Sequence, residues 1–253
     1  MPRISDTSAH PDSAAIVVSR ATKRFVLRHT HSMKETFVAW TRGKPISNDF
    51  LALDDVSFTI DQGESVALLG LNGSGKSTSL KLISGVLVPD SGEVLTRGRV
   101  AGLIEVGAGF HPDLSGRENV YLNAAILGMS QAETDARFDE IVAFSGIERF
   151  IDTEVKHYSS GMFVRLAFAV AIHTEMDTLL VDEVLSVGDE PFQHKCIERI
   201  RELNEAGKTL VVVSHDLATV SQICRRGVVM RSGTVLFDGP IDEAVAALRA
   251  SAE

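Results

Sequence analysis

The chain has 253 residues, is 44% hydrophobic and 23% charged, and carries a formal net charge of −9. That size holds one large domain, or a core with a subdomain, and the balance is that of an ordinary globular protein. The acidic excess argues against a nucleic-acid-binding surface, no apolar run approaches a membrane span, and the two cysteines, Cys196 and Cys224, show no metal-ligand spacing.

Residues 1–13 are polar, lack a signal-peptide core and read as a loose tail. Short apolar runs follow at Ala15–Ser19, Val56–Ile60 and Ser65–Leu69, the last two joined by the turn Asp61-Gln62-Gly63-Glu64. Between them, Val26 to Asp49 is longer than a strand-to-strand link. Met33, Phe37 and Trp40 share a helical face there, and Arg28, Lys34, Arg42 and Lys44 make the stretch basic. It is either a membrane-surface or partner contact, or a short helix packed on its own domain. About Ser115 to Thr174 the chain is helical. Ser130 and Glu133 form a capping box, and Phe138, Ile141, Val142 and Ser145 fall on one helical face. Strands resume at Thr178–Val181 and Thr209–Val213. Between these lies a helix entered at Pro191, buried through Cys196, Ile197, Ile200 and Leu203, and ended by Gly207. A hairpin through Ser232-Gly233 joins Val228–Arg231 to Thr234–Phe237. The pattern predicts an α/β fold with a mostly parallel sheet, an antiparallel edge and a helical subdomain inserted at about 115–174.

Ser65–Leu69 runs into Gly70-Leu71-Asn72-Gly73-Ser74-Gly75-Lys76-Ser77-Thr78, the full G-x-x-x-x-G-K-[ST] pattern of a phosphate-binding loop between strand and helix. Its glycines let backbone N–H groups turn on a polyphosphate, and the following helix presents its positive end. Lys76 reaches the terminal phosphates and the Ser77 hydroxyl is placed for Mg²⁺. Asp182 ends the Thr178–Val181 strand, where an open α/β sheet places its ligands, and is suited to hold Mg²⁺. Glu183, one residue on, can orient or deprotonate a water. His215 ends the next buried strand within reach of a γ-phosphate. Ser159, Ser160 and Gly161 open a long apolar helix and offer a second anion site.

These four pieces, in this order, resemble the ATP-binding subunits of ABC transporters. Gly70–Thr78 matches Walker A, Ser159-Ser160-Gly161-Met162 the signature, Thr178–Glu183 Walker B and His215 the switch histidine. Tyr158-Ser159-Ser160-Gly161-Met162, Glu105 in place of the usual Q-loop glutamine, and Glu183-Val184-Leu185-Ser186-Val187-Gly188-Asp189 in the D-loop are similar to the branch that exports O-antigens, capsules, teichoic acids and galactans. The resemblance implies a P-loop NTPase core forming an ABC nucleotide-binding domain over residues 14–253, with ATP and Mg²⁺ as cofactors. It implies a head-to-tail dimer in which each ATP lies between the Walker A of one copy and Ser160 and Gly161 of the other. Glu183 and His215 would act in hydrolysis beside Lys76. Ser77, Asp182 and Glu105 would stand around the metal, and Asp189 would link the two sites. Phe25 matches the aromatic that stacks on adenine, or is a core phenylalanine of an early strand. A polytopic permease would dock on the stretch after Glu105, around Phe110, His111, Pro112 and Leu114. The expected place is the cytoplasmic face of the cell membrane, with substrate recognition left to the permease because no carbohydrate-binding domain follows Gly239. The competing expectation is an ABC ATPase of DNA repair, translation or cluster assembly.

Overall fold

The computed structural model describes residues 13–28, 47–103, 107, 109–182, 189–214 and 216–251. In chain order the elements are β1 (Ala14–Arg28), β2 (Ser47–Asp61), β3 (Ser65–Leu69), α1 (Lys76–Ile83), β4 (Ser91–Thr96) and β5 (Val100–Leu103). Three helices follow, α2 (Gly116–Ile126), α3 (Gln131–Ser145) and α4 (Ser160–Ile172). The chain then continues through β6 (Thr178–Asp182), α5 (Glu190–Glu205), β7 (Thr209–Val213), α6 (Leu217–Ile223), β8 (Arg226–Arg231), β9 (Thr234–Pro240) and α7 (Ile241–Ala250).

The main sheet has the order β5-β6-β7-β3-β8-β9. Every pairing in it is parallel except the edge pair β8–β9, as expected for the C-terminal hairpin. A second, antiparallel sheet has the order β2-β1-β4. The apolar runs of β3 and β7 are buried at every position, because the main sheet is covered on both faces. Successive side chains point to opposite faces. Leu69, Leu179, Val181, Leu210 and Val212 therefore meet α4, α5, α6 and α7 in one core. Leu68, Leu180, Val211 and Val213 meet α1 and the small sheet in a second.

α4 belongs to two cores at once. Phe168, Ala171 and Ile172 pack in the first. Leu166, Ala169 and Val170 pack against α2 and α3 in a third, with Phe138, Ile141 and Val142. Residues Leu166 to Ile172 are all buried, which is why this helix shows no polar face. The predicted stripe of α3 is borne out, Phe138, Ile141, Val142 and Ser145 being buried. Its Ser130–Glu133 capping box is present. The same box forms at Ser115 and Glu118 ahead of α2. The S-x-x-E spacing is the sequence mark of both. α5 carries Pro191 in its first turn, buries Phe192, Cys196 and Ile200, and ends before Gly207, whose φ is +83°. Cys196 and Cys224 are both buried, and burial pushes each thiol up to about 12, which keeps them protonated packing groups.

The small sheet departs from expectation. The predicted runs Ala15–Ser19 and Val56–Ile60 are parts of much longer strands, and Val26 and Asp49, read as the ends of a connection, pair across β1 and β2. Register shifts interrupt β1 between Val18 and Arg24, and Arg20 and Asp55 have φ of 50°. Such bulges reset the two-residue alternation that marks a strand. Met33, Phe37, Trp40, Lys34, Arg42 and Lys44 lie outside the described residues. Ser13 is tied to the β2–β3 turn, its hydroxyl donating to Asp61 at 2.8 Å. β4 and β5 were not foreseen.

Arg226 fastens the antiparallel edge. Its Nε and Nη2 donate to the two Asp238 oxygens at 2.6 and 2.7 Å, and Nη1 reaches Glu64 at 3.1 Å and the Thr59 carbonyl at 3.0 Å. The half-buried guanidinium is raised above its ordinary value, first by the Asp238 hydrogen bonds. Among the described residues no helix is long and apolar enough to cross a membrane.

Candidate functional site

The site is built at the carboxyl ends of adjacent parallel strands. Register sets it: Asp182 is opposite Val213, and Val213 is opposite Leu68, so β6, β7 and β3 end level with one another. Asp182 thus emerges two strands away from the loop that begins at Gly70. His215 would follow β7 by two residues, but His215, Glu183 and Glu105 lie outside the described residues.

The loop from Gly70 to Gly75 uses three left-handed or extended-positive glycines, with φ of 149° at Gly70, 79° at Gly73 and 107° at Gly75. Gly70 passes directly under the Met230 carbonyl of β8, leaving no room for a Cβ. Ser74 closes a turn through its N–H to the Leu71 carbonyl at 3.1 Å. Its buried hydroxyl has no hydrogen-bond partner among the described residues. Lys76 is 6% exposed and folds its ammonium back over the loop, donating to the Gly70 carbonyl at 2.8 Å and the Leu71 carbonyl at 3.1 Å. These two bonds hold the ammonium over the loop, where it can meet an anion. Among the described residues no side chain caps α1 at Gly75, which leaves its first-turn N–H groups available.

A cavity of about 160 Å³ lies over this loop, lined by Asn72 to Thr78, Ala52 and Phe50. Phe50 is 46% exposed and stands opposite Phe25 in the β1–β2 register. The sequence offered Phe25 for adenine; Phe50 is the aromatic on the cavity wall. Nothing local in the sequence marks Phe50, because only strand pairing brings it to the loop. Phe25 carries Lys23 above its ring, 5.9 Å from the centroid. The lining is consistent with a polyphosphate: a Cβ-free cradle, an uncapped helix start, a lysine and an orphaned serine hydroxyl. Hydroxyl and carboxylate oxygens at Ser77 and Asp182 are donors of the kind Mg²⁺ takes.

Ser159, Ser160 and Gly161 lie on a different surface. Ser159 caps α4, its Oγ accepting from the Met162 N–H at 3.2 Å. Ser159 and Ser160 are exposed, and a Cβ at Gly161 would meet only Ser159 Oγ, at 3.9 Å. Tyr158 anchors this turn by donating to the Phe150 carbonyl at 2.8 Å. Asp189 starts α5, and the nearest Arg165 nitrogen is 4.0 Å away. Arg165 itself lies over the Phe192 ring, 5.0 Å from its centroid. Neither the Ser159 turn nor Asp189 lines the cavity at Lys76. Phe110, His111 and Leu114 lead into α2, where Asn119 ties the turn by accepting from the His111 N–H at 2.6 Å and donating to the Leu114 carbonyl at 3.1 Å.

After β7, Asp216 caps α6. It accepts from the N–H groups of Ala218 and Thr219 at 3.0 and 3.2 Å and from the Thr219 hydroxyl at 2.6 Å. The Thr219 bonds lead in holding its carboxyl below the usual range. A lowered folded value means this cap stabilises at pH above the ordinary carboxylate range and is lost as pH falls through the folded value. Asp216→Ala is expected to cost about 1 kcal/mol near neutral pH and to lose its effect as the pH falls through the lowered folded value. Melting curves of both proteins across that range check it.

Strand order, covered sheet and phosphate loop together define a P-loop NTPase fold. The ABC transporter family matches residues 53–186, and the chain belongs to that family. It is 45% identical over 236 residues to the O-antigen export system ATP-binding protein RfbB of Myxococcus xanthus, covering 92% of this chain and 54% of that protein. It is 51% identical over 177 residues to the RfbB of Klebsiella pneumoniae, covering 70% and 72%. The teichoic acids export ATP-binding protein TagH of Listeria monocytogenes serotype 4b (strain F2365) is 43% identical over 194 residues, covering 77% and 58%. The chain thus spans little more than half the length of two of these curated relatives. A solved ATP-binding subunit of an ABC transporter superposes with a TM-score of 0.73 at 26% identity, covering 93% of this chain and 94% of that one. A dimeric ATP-binding cassette bound to ADP and Pi shares the fold, with a TM-score of 0.72 at 24% identity over 89% of this chain and 98% of that one.

Proposed function

We propose that this chain binds MgATP at Gly70–Thr78 and hydrolyses it to power export of a lipid-linked polysaccharide through a membrane permease. The single observation that carries the nucleotide reading is the loop around Lys76, with an uncapped helix start behind it and Asp182 level with the end of β3. The export reading rests on the relatives' names, which are those of O-antigen and teichoic acid systems. Those names favour transport over a non-transport ABC ATPase.

Lys76 leaves its carbonyl partners, or shares them, to neutralise charge on the terminal phosphates. The loop N–H groups and the start of α1 hold the remaining oxygens. Ser77 and Asp182, with Glu105, would hold Mg²⁺, which screens phosphate charge. Phe50, with Phe25 beside it, supplies a face for adenine. Glu183 orients the attacking water, and His215 contacts the γ-phosphate. Ser159 and Ser160 are exposed, and neither they nor Gly161 line the Lys76 cavity, which supports their use by a second copy. An ATP held in that way bridges two helix starts, so closure depends on the γ-phosphate and relaxes on hydrolysis. Asp189 at the start of α5 would report between the two sites. The unit acts at the cytoplasmic membrane face, with the permease on the Phe110–Leu114 turn.

The test is Glu183→Gln. The amide keeps the shape and loses the base, so turnover is expected to fall by about 10²-fold or more. ATP-dependent dimers should then accumulate in light scattering or size exclusion. Near-normal hydrolysis would remove Glu183 from its role, and a strictly single-copy protein with MgATP would end the sandwich reading.

A further inference from the structure

Tyr158 opens the turn that leads into α4, and its phenol reaches out of that turn to another segment. Its Oη donates to the Phe150 carbonyl at 2.8 Å, and its ring packs against the core shared by α2, α3 and α4. Burial leads in raising the phenol above its ordinary value, so it stays protonated and keeps donating near neutral pH. The Phe150 carbonyl also accepts from the Thr153 N–H at 2.9 Å. The phenol is therefore a second tie on a carbonyl that the backbone already satisfies.

The strip that receives this bond is fixed on its other side by the start of α2. Gly116 and Arg117 donate their N–H groups to the Thr153 and Ile151 carbonyls at 3.1 and 2.7 Å. Val155 and Lys156 donate theirs to the Leu114 and Pro112 carbonyls, both at 2.9 Å. Gly116 gives the phenol its place. It is buried in the first turn of α2 and has no positive φ, so its backbone does not call for glycine. A Cβ there would overlap Tyr158 Oη and come within 3.0 Å of the Ile151 carbonyl oxygen. The space that the glycine leaves is the space the hydroxyl fills.

Ser159 and Ser160 come next in the chain and are exposed. The Ser159 hydroxyl is engaged within its own helix, at the Met162 N–H, so its bond does not fix how the turn is aimed. The cores grip α4 from Leu166 onward, while none of Ser159 to Arg165 is buried. The aim of the first turn therefore depends on ties at its margin, and the Tyr158 hydroxyl is one that leads directly to a braced segment.

We propose that Tyr158 is a positioning residue for the ATP sandwich: its hydroxyl holds the Ser159–Gly161 turn at the angle at which the ATP of a second copy meets it. The role rests on the sandwich reading given above. Without the hydroxyl, the turn has to be re-ordered each time an ATP is closed on it. That cost falls on closure and not on the nucleotide's own loop, because Tyr158 does not line the Lys76 cavity.

The experiment compares Glu183→Gln with Glu183→Gln/Tyr158→Phe, following dimer formation by light scattering as MgATP is raised. Phenylalanine keeps the ring and removes only the hydroxyl. The MgATP concentration for half-dimerisation is expected to rise about tenfold, a few-fold for each of the two turns in a dimer. MgADP affinity, read by calorimetry at the Lys76 loop, should stay within about twofold. The melting temperature should fall by only about 2–4 °C, the loss of one hydrogen bond in a chain of this size. Gly116→Ala in the Glu183→Gln background should weaken dimerisation in the same way by pushing the hydroxyl aside. Adding Tyr158→Phe to it should recover part of its melting loss, because the overlap is gone. An unchanged MgATP requirement in the Tyr158→Phe protein, or an MgADP affinity that falls in parallel, overturns the role and leaves the phenol a brace of the fold, with the sandwich reading intact. A Glu183→Gln protein that stays single-copy ends the sandwich reading and this role together.

Discussion

Lys76→Met is expected to lower ATP turnover by about 10³-fold while leaving the protein folded. A unit charge about 4 Å from a phosphate oxygen, at the effective dielectric of a partly enclosed site, interacts by roughly 4 kcal/mol. If that interaction strengthens as charge moves onto the leaving oxygens, it acts mainly on the rate. Lys76 is well suited to this because its ammonium is already buried and held over the loop at the Gly70 and Leu71 carbonyls. Methionine keeps the aliphatic stem, so the fold loses charge-assisted hydrogen bonds, among them those to Gly70 and Leu71, about 1–3 kcal/mol. Steady-state hydrolysis and thermal melting, measured together, separate the two effects. A variant that melts near wild type and still turns over within tenfold of it would mean that this lysine serves the loop and not the phosphates.

Much of that site was legible before any coordinates, for a physical reason. β3, β6 and β7 are sandwiched between two layers, so their sequences are nearly pure apolar runs, and the expected Ser65–Leu69 and Thr209–Val213 boundaries agree with the strands. The phosphate loop has to be glycine-rich where it turns, and α3 and α5 announce themselves by Ser130 and Pro191 at their starts. The small sheet was poorly legible because its outer face is wet and its register slips. β1 continues through Arg20 to Arg28, where polar residues and a positive φ at Arg20 obscure the alternation. β5 is only four residues with a glycine inside it, and β4 has three exposed residues before its buried ones. Phe50 could not be found at all without the pairing that sets it opposite Phe25.

Gly75→Ala is expected to be far more damaging than Gly73→Ala, although each adds one methyl group to the same loop. Both glycines have positive φ, 107° and 79°, so an alanine at either carries a backbone cost of about 1–2 kcal/mol. They differ in what surrounds them. A Cβ on Gly75 would lie 2.7 Å from Leu53 Cδ2 and 2.8 Å from the Ala52 carbonyl oxygen, whereas a Cβ on Gly73 would meet nothing within 4 Å. Leu53 is fully buried in the core that joins β3 to the small sheet, and the Ala52 oxygen is backbone, so neither can step aside. Overpacking of that kind adds about 1–3 kcal/mol. For a chain of this size the sum at Gly75 corresponds to a melting temperature lower by roughly 10 °C, against about 3–5 °C at Gly73. Gly73→Asn should recover part of the loss, because asparagine tolerates the left-handed region, while Gly75→Asn should recover none. The loop also carries the N–H groups that face a nucleotide, so forcing Gly75 away from Ala52 tilts the start of α1 and should weaken ATP binding as well as folding. Equal melting temperatures for the two alanine variants would show that β2 yields at Ala52, and that the loop is not braced by the small sheet behind it.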